Sequence, residues 1–243
     1  LQFNLSETTF ILPSRTADAR VRIFTPAYEM PFAGHPTLGT AHVVRALGPG
    51  SDQVRLELAA GVIPVAAVRN FWELRANNAT TRAPRAATAE LAVALGLQEQ
   101  DLAGPALWVD AGSEQLIVPL ASEDAVRRVQ LSIDALRSVT GDGPRAQVYV
   151  FVPRTDGSLL ARFFFSKGES LLEDPATGSA TANLGGWMLA NGVRLPLALT
   201  IAQGRMRPAR CPAPPRAEAS EGLPPRRRSS APHSSAVRKK MVT

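Results

Sequence analysis

Two stretches of this chain have the spacing of helices but almost none of the bulk. Residues 178–186 read Gly-Ser-Ala-Thr-Ala-Asn-Leu-Gly-Gly, and residues 37–41 read Thr-Leu-Gly-Thr-Ala just after a Gly34-His35-Pro36 corner. Glycine inside a helix costs roughly 0.5–1 kcal/mol against alanine, so Gly39, Gly185 and Gly186 need a packing reason. A helix surrounded by strands, with backbone approaching from several sides, supplies one. Each small-residue run follows a turn that opens a helix, where unpaired N–H groups and the positive dipole end suit a carboxylate or phosphate. One corner carries His35; the other carries Asp174, with Ser179 adding a hydroxyl. Two such corners in one chain predict two lobes that close on one small acidic ligand.

The 243 residues suffice for one large domain or two ordinary ones, each with a real core. No run of about 18 apolar residues predicts a membrane span. The start, Leu1-Gln2-Phe3-Asn4-Leu5-Ser6-Glu7, reads as a strand-like opening rather than a signal peptide, which makes the cytoplasm the default location. One cysteine, Cys211, gives no internal disulfide framework and no cysteine-based zinc site. The net charge of +6 is unevenly spread: ten of the 27 Lys and Arg and two of the 21 Asp and Glu follow Gly204, so that end carries +8 and the rest −2. The basic signal belongs to residues 205–243, an Arg-, Pro- and Ser-rich stretch that cannot bury enough apolar surface to order itself. Its Arg226-Arg227-Arg228 and Arg238-Lys239-Lys240 runs read as solvated charge, not as a nucleic-acid or membrane surface.

Along the chain, alternation and apolar runs predict strands near 20–24, 54–58, 62–68, 71–74, 107–109, 115–120, 147–153 and 159–165. Helical spacing predicts helices over 37–47, 88–95, within 123–136, and over 180–191, with stops at Gly48, Gly96 and Gly192. A polar stretch, residues 75–87, reads as the crossing between lobes. The expected division is therefore 1–87, 88–204 and the tail 205–243. Both halves run strands, corner, small-residue helix, in the manner of a diverged repeat.

Three segments carry a resemblance: Asn4-Leu5-Ser6-Glu7-Thr8-Thr9-Phe10, Pro31-Phe32-Ala33-Gly34-His35-Pro36-Thr37-Leu38-Gly39 and Glu173-Asp174-Pro175-Ala176-Thr177-Gly178-Ser179-Ala180. Together, and in this order, they resemble the PhzF-like isomerases of phenazine biosynthesis, which share the diaminopimelate epimerase fold. The likeness runs from about residue 1 to 204. It implies an α+β protein of two similar lobes, each a barrel-like sheet around a central helix, with the active site between them. Against that pattern the chain starts inside the first lobe and departs after Gly204, so an opening strand and helix and closing strands are expected to be missing. The resemblance also implies isomerisation of a dihydro-hydroxyanthranilate-like carboxylate without a cofactor or metal, and a homodimer. It assigns Glu7 as acid/base, His35 and Asp174 as its catalytic partners, and Ser6, Gly34, Thr177, Gly178 and Ser179 to substrate binding.

The residue chemistry agrees. Moving a proton between carbons needs one group that removes and returns it in a sheltered place, and a carboxylate between Ser6 and Thr8 fits. Cysteines at both corners would instead mark a two-thiol racemase, but Ala33 and Pro175 stand there. Read singly, Glu7 is a solvated strand residue, His35 a turn former and Asp174 a helix N-cap; only the motifs lift them. Glu29, His42, Trp108 and Trp187 read as structural. The competing readings are an inactive truncated or frame-shifted member, and a related isomerase with a different small substrate.

Overall fold

The computed structural model describes residues 5, 7–26, 28–48, 50–68, 71–141, 146–194 and 197–204. The basic end, with Cys211 and both charge runs, lies outside the described residues.

The first half consists of β1 (Thr8–Leu12), β2 (Ala19–Phe24), β3 (Glu29–Met30), α1 (Gly34–Leu47), β4 (Gln53–Leu58), β5 (Gly61–Val68) and β6 (Phe71–Leu74). Its sheet has the order β1-β2-β4-β5-β6, with β3 also on β2. All neighbours are antiparallel except β2 and β4, which run parallel with Ala19 opposite Leu56. Alternation decides the buried face: Ala19, Val21 and Ile23 of β2 and Val54, Leu56 and Leu58 of β4 are buried while their neighbours are not. This face packs on Leu38 and Ala41 of α1, with Trp72 and Leu74 closing one side. Glu29 forks Arg22 through two hydrogen bonds of 2.6 and 2.9 Å, and His42 meets Trp72 edge-on at 6.0 Å, so both are structural as read.

The second half consists of β7 (Thr80–Arg82), α2 (Thr88–Ala94), β8 (Leu107–Asp110), β9 (Gln115–Pro119), α3 (Glu123–Arg128), α4 (Ile133–Thr140), β10 (Gln147–Pro153), β11 (Leu159–Lys167), β12 (Ser170–Asp174), α5 (Gly178–Ala190) and β13 (Ile201–Gln203). Its sheet runs β12-β11-β10-β9-β8-β7, with β13 parallel to β11. The polar crossing predicted over 75–87 contains β7, which already pairs with β8. Strands β9, β10 and β11 read as apolar runs because both faces are covered. One face, with Trp108, Leu116, Val148, Val150 and Leu160, packs on α2, α3 and α4. The other, with Val109, Ile117, Tyr149, Phe151 and Phe163, packs on Ala180, Leu184 and Met188 of α5.

On α5 Gly186 has a packing reason, but it is the close approach of side chains on one open sheet, not backbone from several sides. A Cβ on Gly186 would fall 2.4 Å from Ala79 Cβ and 2.8 Å from Val109 Cγ1. Gly39 on α1 is different: nothing lies within 4 Å of its missing Cβ, and the same helix exposes Val43 and Leu47. The architecture is α+β, two mixed sheets with one small-residue helix laid on each. Among the described residues neither sheet closes into a barrel; each is open, its terminal strands unpaired with one another. One helical expectation also changes. The amphipathic stretch within 123–136 is two helices, because Val129 leaves helical geometry and Ser132 caps a new start by accepting the Ala135 N–H at 3.0 Å.

Candidate active site

The first lobe brings Glu7 to the mouth of α1. Glu7 directly precedes β1, and Thr9 on that strand accepts a 2.9 Å hydrogen bond from the Thr40 hydroxyl of α1. The first turn of α1 is drawn tight by Thr37, whose N–H and hydroxyl both donate to Ala33 O. His35 therefore projects from a fixed turn, and its Nε2 stands 3.0 Å from Glu7 Oε2. The Glu7 side chain is 19% exposed and that of His35 48%. The carboxylate sits in a recess and the imidazole at its lip.

The second lobe presents Asp174, the last residue of β12, opposite Phe163 on β11. The N-cap reading of Asp174 is corrected: Thr177 holds the position before α5, and Asp174 is three residues further back. Its Oδ2 accepts the Thr177 hydroxyl at 2.6 Å and its Oδ1 the Ala176 N–H at 3.3 Å, an Asx turn rather than a cap. Gln203 of β13 fastens the turn. Its Nε2 donates to Asp174 O and to Thr177 Oγ1, both at 2.8 Å, while its Oε1 accepts the Thr177 N–H at 3.1 Å. Gly204 allows this approach, with a φ of 101° and its missing Cβ only 3.4 Å from Pro175 Cα. Thr177 is thereby corrected too. It is buried with N–H and hydroxyl both engaged, so it orients Asp174 instead of offering its N–H to a ligand.

The two corners meet. A Cβ on Gly34 would stand 3.7 Å from Gly178 Cα, and one on Gly178 would stand 3.9 Å from His35 N. Here the helix starts of the two lobes touch backbone to backbone. Among the described residues neither start has a side-chain cap or an acidic residue in its first turn. The other helices do: Ser122 caps α3, Ser132 caps α4, and Glu90 accepts the Ala87 N–H at the start of α2. Open N–H groups thus concentrate where two dipoles converge, which is a setting for an anion. Ser179 lies beside them, half-buried, its Oγ accepting a 2.9 Å hydrogen bond from Gln115.

The structure accordingly brings Glu7 against His35 and Gly34 against Gly178, with Asp174 four residues before Gly178 along the chain and Ser179 directly after it. Ser6 lies outside the described residues. Sequence reasoning missed Gln203, Gln115 and Asn183. The legible signal for the last two was a polar amide inside otherwise apolar or small-residue runs. No group of three or more His, Cys, Asp or Glu converges as metal ligands among the described residues, and no helix is long and apolar enough to cross a membrane.

Comparison with known proteins bears on the family and the fold. The family model described as phenazine biosynthesis-like protein, PhzC-PhzF, matches residues 1–208. An isomerase from Pasteurella multocida, itself uncharacterised, is 36% identical over 212 residues, covering 84% of this chain and 69% of its own. The trans-2,3-dihydro-3-hydroxyanthranilate isomerase of Pseudomonas aeruginosa is 37% identical over 190 residues, covering 75% and 64%. Among solved structures, a Bacillus anthracis phenazine biosynthesis protein of the PhzF family superposes with a TM-score of 0.69 at 29% identity, covering 77% of this chain and 67% of that one. The chain spans about two thirds of the length of these relatives.

Proposed function

This chain belongs to the phenazine biosynthesis-like family, PhzC-PhzF, and from that premise we propose that it is a cofactor-independent isomerase of a small, carboxylated, unsaturated ring metabolite of the dihydro-hydroxyanthranilate type. The observation that carries the proposal is the 3.0 Å approach of His35 Nε2 to Glu7 Oε2 beside two uncapped helix starts. The substrate carboxylate docks on the open N–H groups of Gly34, Gly178 and Ser179, which need no reorganisation to receive negative charge. Glu7 then removes a proton from a ring carbon. The electron pair spreads through the adjacent unsaturation, and the protonated Glu7 returns a proton to a second carbon, so the double bond moves without oxidation or reduction. His35 Nε2–H donates to Glu7 Oε2 throughout, which leaves Oε1 as the oxygen that faces the ring and carries the proton between the two transfers. Asp174, immobilised by Thr177 and Gln203, anchors a polar substituent of the ring.

The same reading takes the enzyme to be a cytoplasmic homodimer serving a phenazine-type biosynthesis. Its central test is isotopic. Dihydro-hydroxyanthranilate incubated with the enzyme in deuterated water is expected to acquire carbon-bound deuterium. Glu7→Gln should slow this about 10²–10⁴-fold, the usual worth of one positioned acid/base. Undiminished label incorporation by the variant would remove Glu7 from the mechanism.

A further inference from the structure

Behind Ser179 lies a buried chain of amides whose polarity is fixed at its far end. Asn183, one helical turn further along α5, has no solvent exposure, and Gln115 on β9 is 1% exposed. Asn183 Oδ1 accepts the Ala111 backbone N–H at 2.8 Å, and its Nδ2 donates to the Ser113 carbonyl at 2.8 Å. One backbone donor and one backbone acceptor bind opposite ends of the same amide, so it cannot be turned over without opposing like groups. Its Nδ2 must then donate to Gln115 Oε1, as it does at 2.9 Å. That leaves Gln115 only its Nε2 for Ser179, at 2.9 Å. A serine hydroxyl has one proton and two lone pairs. With Gln115 donating into one lone pair, the proton points elsewhere, and among the described residues no acceptor meets it.

We propose that Gln115 and Asn183 are positioning residues that hold Ser179 as an obligate hydrogen-bond donor toward the cleft, and so select a ligand carboxylate over a carboxamide at that place. Selection rests on the carboxylate docking proposed above. Ser179 O–H and the neighbouring Gly178 N–H are both donors, so two acceptor oxygens satisfy them. A carboxamide offers one oxygen and a competing N–H₂, leaving one donor facing another.

The test is Gln115→Glu in the full chain. A carboxylate at this position still accepts from Asn183, but it can only accept from Ser179, and it turns the hydroxyl around. Calorimetry with 2-aminobenzoate and 2-aminobenzamide should give a wild-type preference for the acid of about tenfold or more, and Gln115→Glu should remove most of it by weakening the acid alone. Gln115→Met, which removes the donor without adding charge, should fall between the two. Equal losses for both ligands, or none, overturn the proposal. A second arm needs no ligand. In Ser179→Cys, with Cys211→Ser, the Gln115 donor favours the thiolate, so adding Gln115→Glu should slow alkylation by iodoacetamide at neutral pH about tenfold. An unchanged alkylation rate overturns the polarity argument. If the wild type bound neither ligand, the isomerase reading would fail, and this arm would still decide how Ser179 is held.

Discussion

Individual side chains in this protein differ sharply in how well their polar atoms are provided for. Asp174 and Thr177 are held by local partners and Gln203: each Asp174 carboxylate oxygen accepts one hydrogen bond, and the Thr177 N–H and hydroxyl are both engaged. Arg162, 5% exposed, forks Glu173 at 2.9 Å and donates to the carbonyls of Val126, Arg127 and Val129, so a buried charge is fully compensated. Tyr149 is the contrary case. Its hydroxyl is fully buried with no hydrogen-bond partner among the described residues, and burial pushes its ionisation far above the ordinary value near 10. Leaving a buried donor unpaired costs about 1–3 kcal/mol, so Tyr149→Phe is expected to stabilise the protein by about 1 kcal/mol in urea unfolding at neutral pH. The sign with pH follows from linkage. The unfolded chain ionises this phenol near pH 10 and the folded one does not, so wild-type stability holds below that value and falls above it. The gap between Tyr149→Phe and wild type should therefore widen in alkaline solution; a destabilised variant would mean that the hydroxyl has a partner.

At the scale of elements, two glycines with the same helix propensity are expected to behave oppositely. Gly39→Ala places its methyl in open space and should gain roughly 0.5–1 kcal/mol from reduced backbone freedom. Gly186→Ala earns the same propensity but drives its methyl into Ala79 and Val109, an overpacking that costs about 1–3 kcal/mol. Thermal melting of the pair distinguishes packing from propensity: if both variants shift the midpoint the same way, the close approach of α5 to β7 and β8 is wrong. Most elements were legible in the sequence because their signals are local. Alternation marked β2 and β4, and Gly48, Gly96 and Gly192 marked helix ends. Among the missed elements β3 has two residues and β7 and β13 three each, too few to display a period, while β12 went unread over five residues. The α3–α4 break was readable in principle from Ser132, which repeats the cap at Ser122, but a continuous apolar periodicity masked it.

Across the whole molecule, the decisive contact is the meeting of Gly34 and Gly178, since it brings residues from the two lobes into one site. The space there admits one carbon at ordinary contact distance and little more. Gly178→Ala should therefore bind 2-aminobenzoate within about threefold of wild type, whereas the branched side chain of Gly178→Val should separate the helix starts and weaken binding by about tenfold, ~1.4 kcal/mol. The melting midpoint should move far less than the affinity, because neither core reaches this contact. Full affinity in the valine variant would mean that the ligand does not bridge the lobes.

The grouping of Glu7, His35 and Asp174 was an expectation from the resemblance of their three motifs alone; what the sequence determined by itself was local shape, the open helix starts and the small-residue helices. Each of these depends on residues within a few positions of one another, where turn geometry and hydrogen-bond spacing act directly. Only the tertiary structure decided which polar groups remain free. Thr177 loses its N–H to Gln203, 26 positions away, and Ser179 receives its polarity from Gln115, 64 positions away. Such pairings are chosen by how strands and helices pack, and nothing in the neighbouring sequence encodes them.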